Sequence, residues 1–202
     1  MSIVNKVKSK PYKSSNVHMF NIKIPIVQKV LDIYTPEETE TLADYIVSLG
    51  DVQKKKTNVK APMSDWHLNE DHHLVDRLCK KVLDIISLTS NEETNFNAPR
   101  FYIRRCWGAS YGKGESAQEH NHWPALWSWC YYLQVPKGSS PLVFREAGIM
   151  FEPKVGDLVV FSGQAQHSVP PCECEDKRVM MAGNIVAVSP TLFVKLAADS
   201  SL

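Results

Sequence analysis

Residues 125–135 read ALWSWCYYLQV, residues 157–162 read DLVVFS and residues 178–188 read RVMMAGNIVAV. All three runs are rich in β-branched and aromatic residues and are bounded by Gly, Pro, Ser or charged residues, which is typical of buried strands. Because no helical segment separates them, these strands must pair antiparallel. A sandwich, a barrel or a double-stranded jelly roll would satisfy that pairing. The same pattern predicts shorter strands at 101–107, 141–144 and 149–152.

Two helices are predicted before these strands. Thr35-Pro36-Glu37-Glu38 combines an N-cap threonine, a proline at the first helical position and a glutamate at the third, which predicts a helix over 36–49. A stripe of apolar residues at helical spacing predicts a second helix over 71–88. Alternating apolar residues between 19 and 33 predict an opening strand, which Pro25 confines to a sheet edge or a break. Helices first and strands after indicate an α+β chain.

Composition narrows the class of protein. The chain has 202 residues, of which 44% are hydrophobic and 22% charged, so we expect a single domain with one core. The formal net charge is +1, which leaves no basic field for a phosphate backbone and argues against duplex nucleic acid as a partner. The apolar runs are far shorter than the roughly 20 residues that span a bilayer, so we expect no membrane partner.

The N-terminal residues and the cysteines both bear on location. The first 16 residues lack a continuous apolar stretch followed by a small-residue cleavage site, which favours a cytoplasmic protein. The cysteine count is odd and there is no CxxC pair, which fits reduced thiols better than a disulfide framework. The five are Cys79, Cys106, Cys130, Cys172 and Cys174.

Three histidines could form a metal site. His120 and His122 flank one residue directly before an aromatic strand, so on extended backbone both side chains point to the same face. His167 follows the strand at 157–162 and a short turn, and it could complete a set of three on one metal. Imidazole suits Fe, Zn, Cu or Ni, and three protein ligands leave positions open for substrate or oxygen. For any one of these histidines, a solvated or hydrogen-bonded loop residue is the simpler interpretation.

A cation stands close behind the last histidine. Arg178 begins an otherwise apolar strand, and its planar guanidinium is suited to a bidentate carboxylate. The alternative is a surface arginine paired with Asp176 or Glu175. Tyr131 and Tyr132 point to opposite faces of their strand, so one of them must face the histidines.

The order of these features resembles the iron(II) and 2-oxoglutarate dependent oxygenases. It runs His120-x-His122, the strand Cys130-Tyr-Tyr-Leu133, the segment Pro153 to Phe161, His167 and then Arg178. Within that superfamily the chain is most similar to the prolyl-hydroxylase-like group and to the small oxygenases of bacterial and bacteriophage genomes. The resemblance covers about residues 99 to 188.

The resemblance implies a function for each of these residues. Carried over position by position, it implies that His120, His122 and His167 bind Fe(II). It further implies that Arg178 pairs with the far carboxylate of 2-oxoglutarate, which Tyr132 also contacts. His122 stands where the family usually has Asp or Glu, so three imidazoles would replace the common set of two histidines and one carboxylate. We interpret this change as a feature of the small-oxygenase branch.

The resemblance also implies a fold and an activity. The fold is α+β, with a double-stranded β-helix (jelly-roll, cupin-like) core and two N-terminal helices packed outside. The domain would span 1–202, with 1–98 as an N-terminal strand and helical cover, 99–188 as the core and 189–202 as a tail. The activity is that of a dioxygenase that hydroxylates a peptide residue or a small metabolite while 2-oxoglutarate and O2 are consumed and succinate is released.

Two other functions remain open from the sequence. A cupin-like three-histidine metalloenzyme would not use 2-oxoglutarate, and His122 favours it whereas Arg178 and Tyr132 count against it. A viral jelly-roll protein without catalysis would keep the histidines as a relic. Trp123, Trp127 and Trp129 could wall the site, but we expect at least two of them to fill the core between the sheets.

Overall fold

Two antiparallel sheets and three helices make up the part of the chain that the computed structural model describes, residues 26–93 and 100–188. The helices are α1 (Pro36–Ser48), α2 (Leu68–Asp71) and α3 (His73–Glu93). The strands are β1 (Ile26–Val30), β2 (Arg100–Tyr111), β3 (Ala117–His120), β4 (Trp127–Gln134), β5 (Leu142–Phe144), β6 (Ile149–Phe151), β7 (Asp157–Ser162), β8 (His167–Val169) and β9 (Arg178–Val188).

The helix predicted at 36–49 is confirmed, and its start is a complete capping box. The Thr35 side chain accepts a hydrogen bond from the Glu38 backbone N–H at 3.1 Å, and the Glu38 carboxylate accepts one from the Thr35 N–H at 2.9 Å. The second predicted helix is divided. His72 adopts an extended conformation, so one short turn, α2, precedes it and α3 begins at His73.

The sheets form the expected jelly roll. The larger sheet has the order β1-β7-β4-β9-β2 and the smaller sheet the order β3-β8-β5-β6, with neighbouring strands antiparallel. β1 is an edge strand, as predicted, although most of the predicted opening strand falls on residues 1–25, outside the described ranges. β3 (AQEH) and β8 (HSV) were not predicted, because neither contains the run of β-branched and aromatic residues that marks the other strands.

Each face of the larger sheet carries its own hydrophobic cluster. The helix-side cluster lies between the sheet and α1 and α3, and it includes Leu42, Leu78 and Met181. The inter-sheet cluster lies between the two sheets and includes Tyr132 and Phe161. Because side chains alternate along β9, successive residues of that one strand enter the two clusters in turn.

A glycine permits close packing on the helix side. Trp129 is fully buried in β4, and its indole lies across β9 at Gly183. A Cβ atom at Gly183 would fall 2.6 Å from the indole nitrogen, so this contact requires the absence of a side chain.

The structure corrects the expectation for two of the five cysteines. Cys172 and Cys174 are buried and joined by a disulfide, whereas Cys79, Cys106 and Cys130 are free thiols, as expected. The Cα atoms of the pair are 5.5 Å apart, within the range that a disulfide can bridge, which sequence separation alone does not reveal.

The lysine-rich segment 51–61 is a loop in which Lys54, Lys55 and Lys56 are exposed, but it is not solvated throughout. Val59 and Ala61 are buried in the inter-sheet cluster, and Val59 forms a β-bridge with Ala117. Lysines dominate the composition of this segment, but its apolar residues determine where it lies.

Within the described residues, no helix combines the length and the apolar composition needed to cross a bilayer.

Candidate metal and carboxylate site

The three histidines singled out from the sequence lie together at one end of the inter-sheet space. Their ligand nitrogens lie within 4.8 Å of one another. The ring centroids of His120 and His122 are 4.9 Å apart, those of His120 and His167 are 4.4 Å apart, and those of His122 and His167 are 4.9 Å apart. His167 is 4% exposed, and the other two are half-buried.

The backbone explains this convergence. His120 ends β3 and pairs directly across the strands with His167, which begins β8. His122 lies just beyond β3, and its N–H donates to the Gly163 carbonyl at 2.7 Å. A Cβ atom at Gly163 would lie 2.1 Å from the Ala125 carbonyl oxygen, so only glycine allows the two loops to approach so closely.

Hydrogen bonds fix the tautomer of two of the rings. Nδ1 of His120 lies 2.6 Å from the Gln118 carbonyl, and Nδ1 of His167 lies 2.9 Å from the Ala165 carbonyl. A carbonyl oxygen only accepts, so Nδ1 must be the donor in both rings. Each Nε2 then keeps its lone pair, which is the form in which histidine binds a metal.

Burial keeps these rings neutral. Burial, together with the neighbouring imidazoles, lowers the pKa of His122 to about 2 and that of His167 to about 4. Burial also lowers the pKa of His120. At neutral pH the cluster therefore offers three uncharged nitrogen donors, and this donor set fits Fe(II) or another borderline divalent metal.

The arginine singled out from the sequence is buried and unpaired. Arg178 is 1% exposed, so the surface pair with Asp176 or Glu175 that the sequence left open is not formed. Its guanidinium lies 4.8 Å from the centre of the Tyr111 ring and 5.0 Å from that of Tyr132. Among the described residues, the guanidinium Nε and Nη1 have no hydrogen-bond partner, and neither does the Tyr132 hydroxyl.

Such a group fits the carboxylate of a ligand. Leaving a buried charge unpaired is costly, and a carboxylate would supply the opposite charge together with acceptors for the free guanidinium donors. Burial raises the pKa of Tyr111 to about 12, and it also raises the pKa of Tyr132. Both phenols therefore remain protonated at neutral pH and can donate to an anion. Tyr111 was not among the predicted site residues, because nothing in the sequence places the end of β2 beside Arg178.

A cavity of about 350 Å³ opens beside the histidines. His120 and His122 line it together with Trp66, Trp107 and Trp123. Trp123 is 67% exposed at the rim.

The other two tryptophans of the 123–129 segment lie elsewhere. Trp129 belongs to the helix-side cluster and Trp127 packs against it, so two of the three do pack in a core, but on the helix side of the larger sheet and not between the sheets as expected. The cavity also shows what sequence reasoning missed, since Trp66 and Trp107 lie on elements far apart in the chain.

Comparison with known proteins agrees with the fold. No family model matches the chain, and no curated protein matches by sequence. Among solved structures, a viral collagen prolyl hydroxylase from Paramecium bursaria Chlorella virus-1, in complex with 2-oxoglutarate, superposes with a TM-score of 0.64 at 16% identity, over 81% of this chain and 96% of that one.

Two further structures have the same fold with different bound molecules. HygX from Streptomyces hygroscopicus, bound to nickel, 2-oxoglutarate and hygromycin B, gives a TM-score of 0.55 at 14% identity, over 80% of this chain and 82% of the other. A Trichoplax adhaerens prolyl hydroxylase in complex with a hypoxia-inducible-factor peptide gives 0.54 at 16% identity, with the same coverage. The chain thus has the jelly-roll fold of 2-oxoglutarate oxygenases, as the resemblance implied. At these identities, function must be argued from the residues themselves.

Proposed function

We propose that this protein is an iron(II) and 2-oxoglutarate dependent dioxygenase. The observation that carries the proposal is the buried Arg178, whose guanidinium has free donors and shares the inter-sheet space with three neutral histidines. A three-histidine metal site alone would fit many enzymes. Together with a buried arginine, it fits a dicarboxylate cosubstrate that chelates the metal at one end and pairs with the arginine at the other.

In this proposal His120, His122 and His167 hold the iron. Their Nδ1 hydrogen bonds to backbone carbonyls, seen for His120 and His167, orient two of the rings before any metal binds. Three neutral ligands leave more positive charge on the metal than two histidines and one carboxylate would. The chain therefore relies more on the anionic cosubstrate for charge balance than a site with an acidic ligand does.

Arg178 and Tyr132 hold the far carboxylate of 2-oxoglutarate. The guanidinium would donate hydrogen bonds to the carboxylate oxygens, and the phenol would donate another from the neighbouring strand β4. Tyr111, on the other side of the guanidinium, keeps the cation in place through its ring face. When bound, Fe(II) and 2-oxoglutarate would activate O2, of which one oxygen atom enters the substrate as a hydroxyl group and the other enters succinate as CO2 is released.

The remaining site residues control access. Phe161 lies 4.7 Å from His167 between ring centroids, and Trp107 lies 5.8 Å from His122, so apolar rings border two sides of the metal position. Such walls keep water from a reactive centre. A cavity of about 350 Å³ suits a peptide residue or a small metabolite as substrate, with O2 as the co-reactant.

We also propose that the protein is located in the cytoplasm.

An anaerobic titration tests the proposal. The chain is titrated with Fe(II) and then 2-oxoglutarate while the weak visible charge-transfer band of the chelate is monitored. We expect a band in the wild type, its loss in His122→Ala and its return in His122→Asp, which restores the usual ligand set. Tight metal binding without any band would contradict the proposal and favour the cupin-like three-histidine enzyme that does not use 2-oxoglutarate.

A further inference from the structure

Two consecutive arginines of β2 face the cavity because the strand contains a bulge. The pairing of β2 with β9 slips by one residue between Ile103 and Arg105, which leaves Arg104 as the extra residue. In a regular strand, neighbouring side chains point to opposite faces, and a bulge changes their direction. Both arginines consequently line the cavity that His122 also lines.

These arginines belong to a group of donors that lack acceptors. Arg104 and Arg105 are exposed, and no ion pair among the described residues involves either of them. Asn184 lies directly across from Arg105 and is 8% exposed. Its side-chain oxygen Oδ1 accepts a hydrogen bond from the Ser128 hydroxyl at 2.9 Å. Its side-chain nitrogen Nδ2 has no protein partner in the described part of the chain.

Aromatic rings connect these donors to the histidines. The Arg105 guanidinium lies 4.9 Å from the centre of the Trp66 ring. Trp66 meets Trp107 edge-on at 5.2 Å, and Trp107 lies 5.8 Å from His122. The cavity thus has a cationic end, an aromatic wall and a metal-binding end, in that order.

We propose that the substrate carries an anionic group, a carboxylate or a phosphate, which Arg104, Arg105 and Asn184 bind. The apolar part next to that group would lie on Trp66 and Trp107, which places a carbon near His122. Arginine is suited to both anions because its planar donors match two oxygens at once. That the bound anion belongs to a substrate rests on the proposed oxygenase function. The existence of the anion-binding cleft does not.

Calorimetric titration of the full-length, metal-free chain tests the cleft. The probes are phenyl phosphate, phenylacetate and the neutral 2-phenylethanol, which share one ring and differ in charge. We expect at least one anion to bind about tenfold or more tightly than the alcohol, and Arg104→Gln and Arg105→Gln each to weaken it about tenfold. The stronger of the two anions identifies the group. Lys81→Gln, an exposed charge removed from α3, should have no effect.

A second titration, in Arg178→Gln, separates the two anion sites. The probe should bind this variant as it binds the wild type, because its donors differ from those of the cosubstrate. A loss in Arg178→Gln as large as that in Arg104→Gln, equal affinity for all three probes, or an effect of Lys81→Gln as large as those of Arg104→Gln and Arg105→Gln would overturn the proposal. Since no metal is needed, failure here is distinct from failure of the iron titration.

Discussion

The two faces of the larger sheet differ in how completely their polar groups are satisfied. On the helix side, β9 contributes Val179, Met181 and Ile185 to a closed apolar cluster. On the other side, the same strand contributes Arg178 and Asn184 to a space with unpaired donors. β9 thus packs into an apolar core on its helix side and lines a space with free hydrogen-bond donors on its inter-sheet side.

This difference shows where the chain gives up stability. Burying apolar surface contributes about 25 cal/mol per Å², and on the helix side the Trp129 indole nitrogen is the only buried side-chain donor without a partner among the described residues. On the inter-sheet side, unpaired polar groups and neutral histidines offset part of that gain. Substitutions on the inter-sheet side should change ligand binding, whereas substitutions on the helix side should change only the free energy of unfolding.

The largest expected effect is on the helix side. Leu78→Ala removes a fully buried side chain of α3 and should lower the free energy of unfolding by about 3 kcal/mol. Urea unfolding measures it, and Leu88→Ala, at a position 66% exposed on the same helix, should change stability by less than about 0.5 kcal/mol. Metal affinity of folded Leu78→Ala should match the wild type, and a large loss would mean that the two faces are not independent.

Next in size is the metal site. His167→Ala removes one of three nitrogen donors and should weaken Ni(II) binding by more than about 100-fold in calorimetry, since even residues outside the ligand shell can cost that much. His67→Ala removes an exposed histidine at the start of α2 and should bind the metal like the wild type. Equal affinity in both variants would show that His167 is not a ligand.

Arg178→Met should have opposite effects on ligand binding and on stability. Loss of the buried cation should weaken 2-oxoglutarate binding by about 30-fold or more, yet stabilise the ligand-free fold by about 1–3 kcal/mol, because an unpaired buried charge is replaced by an apolar chain of similar length. Binding is measured with the metal present and unfolding without it. Lys177→Met changes the adjacent exposed residue and should alter neither. Destabilisation by Arg178→Met would mean that the guanidinium already has a stabilising role.

The smallest effect is on pH dependence. The pKa of His167 is about 4 in the folded chain and about 6.5 when unfolded, so between pH 7 and pH 6 only the unfolded state takes up protons. Stability of the metal-free chain must therefore fall on acidification, by about 0.7 kcal/mol from this residue alone. Urea unfolding at the two pH values should show that much less loss in His167→Gln. An identical loss in the variant would contradict the buried, neutral state of the ring.

The sequence predicted the long elements and the short strands β5 and β6, but it missed β3 and β8. The capping box at Thr35 and the apolar run at 157–162 carry strong local signals, and both elements formed at the expected residues. β3 and β8 are held by their neighbours, so their formation depends on pairing that no local pattern encodes.

The same distinction holds for the site. The spacing of His120 and His122 and the position of Arg178 could be read along the chain, and the structure brings the three histidines together, although their ligand roles remain predictions. The second group of donors could not be predicted, since the bulge that turns Arg104 and Arg105 to one face depends on the register with β9. The sequence signal for the bulge was the pair Arg104-Arg105, in a strand whose polar and apolar residues otherwise alternate around it.

The direct pairing of His120 with His167 has a mechanical consequence. β3 and β8 are short strands at one edge of the smaller sheet, whereas His122 is anchored through Gly163 to the turn that follows β7 of the larger sheet. A single ion bound to all three rings would act as a cross-link between the two sheets. Metal binding would then hold the two sheets together at this end of the jelly roll, so the cofactor would also stabilise the fold.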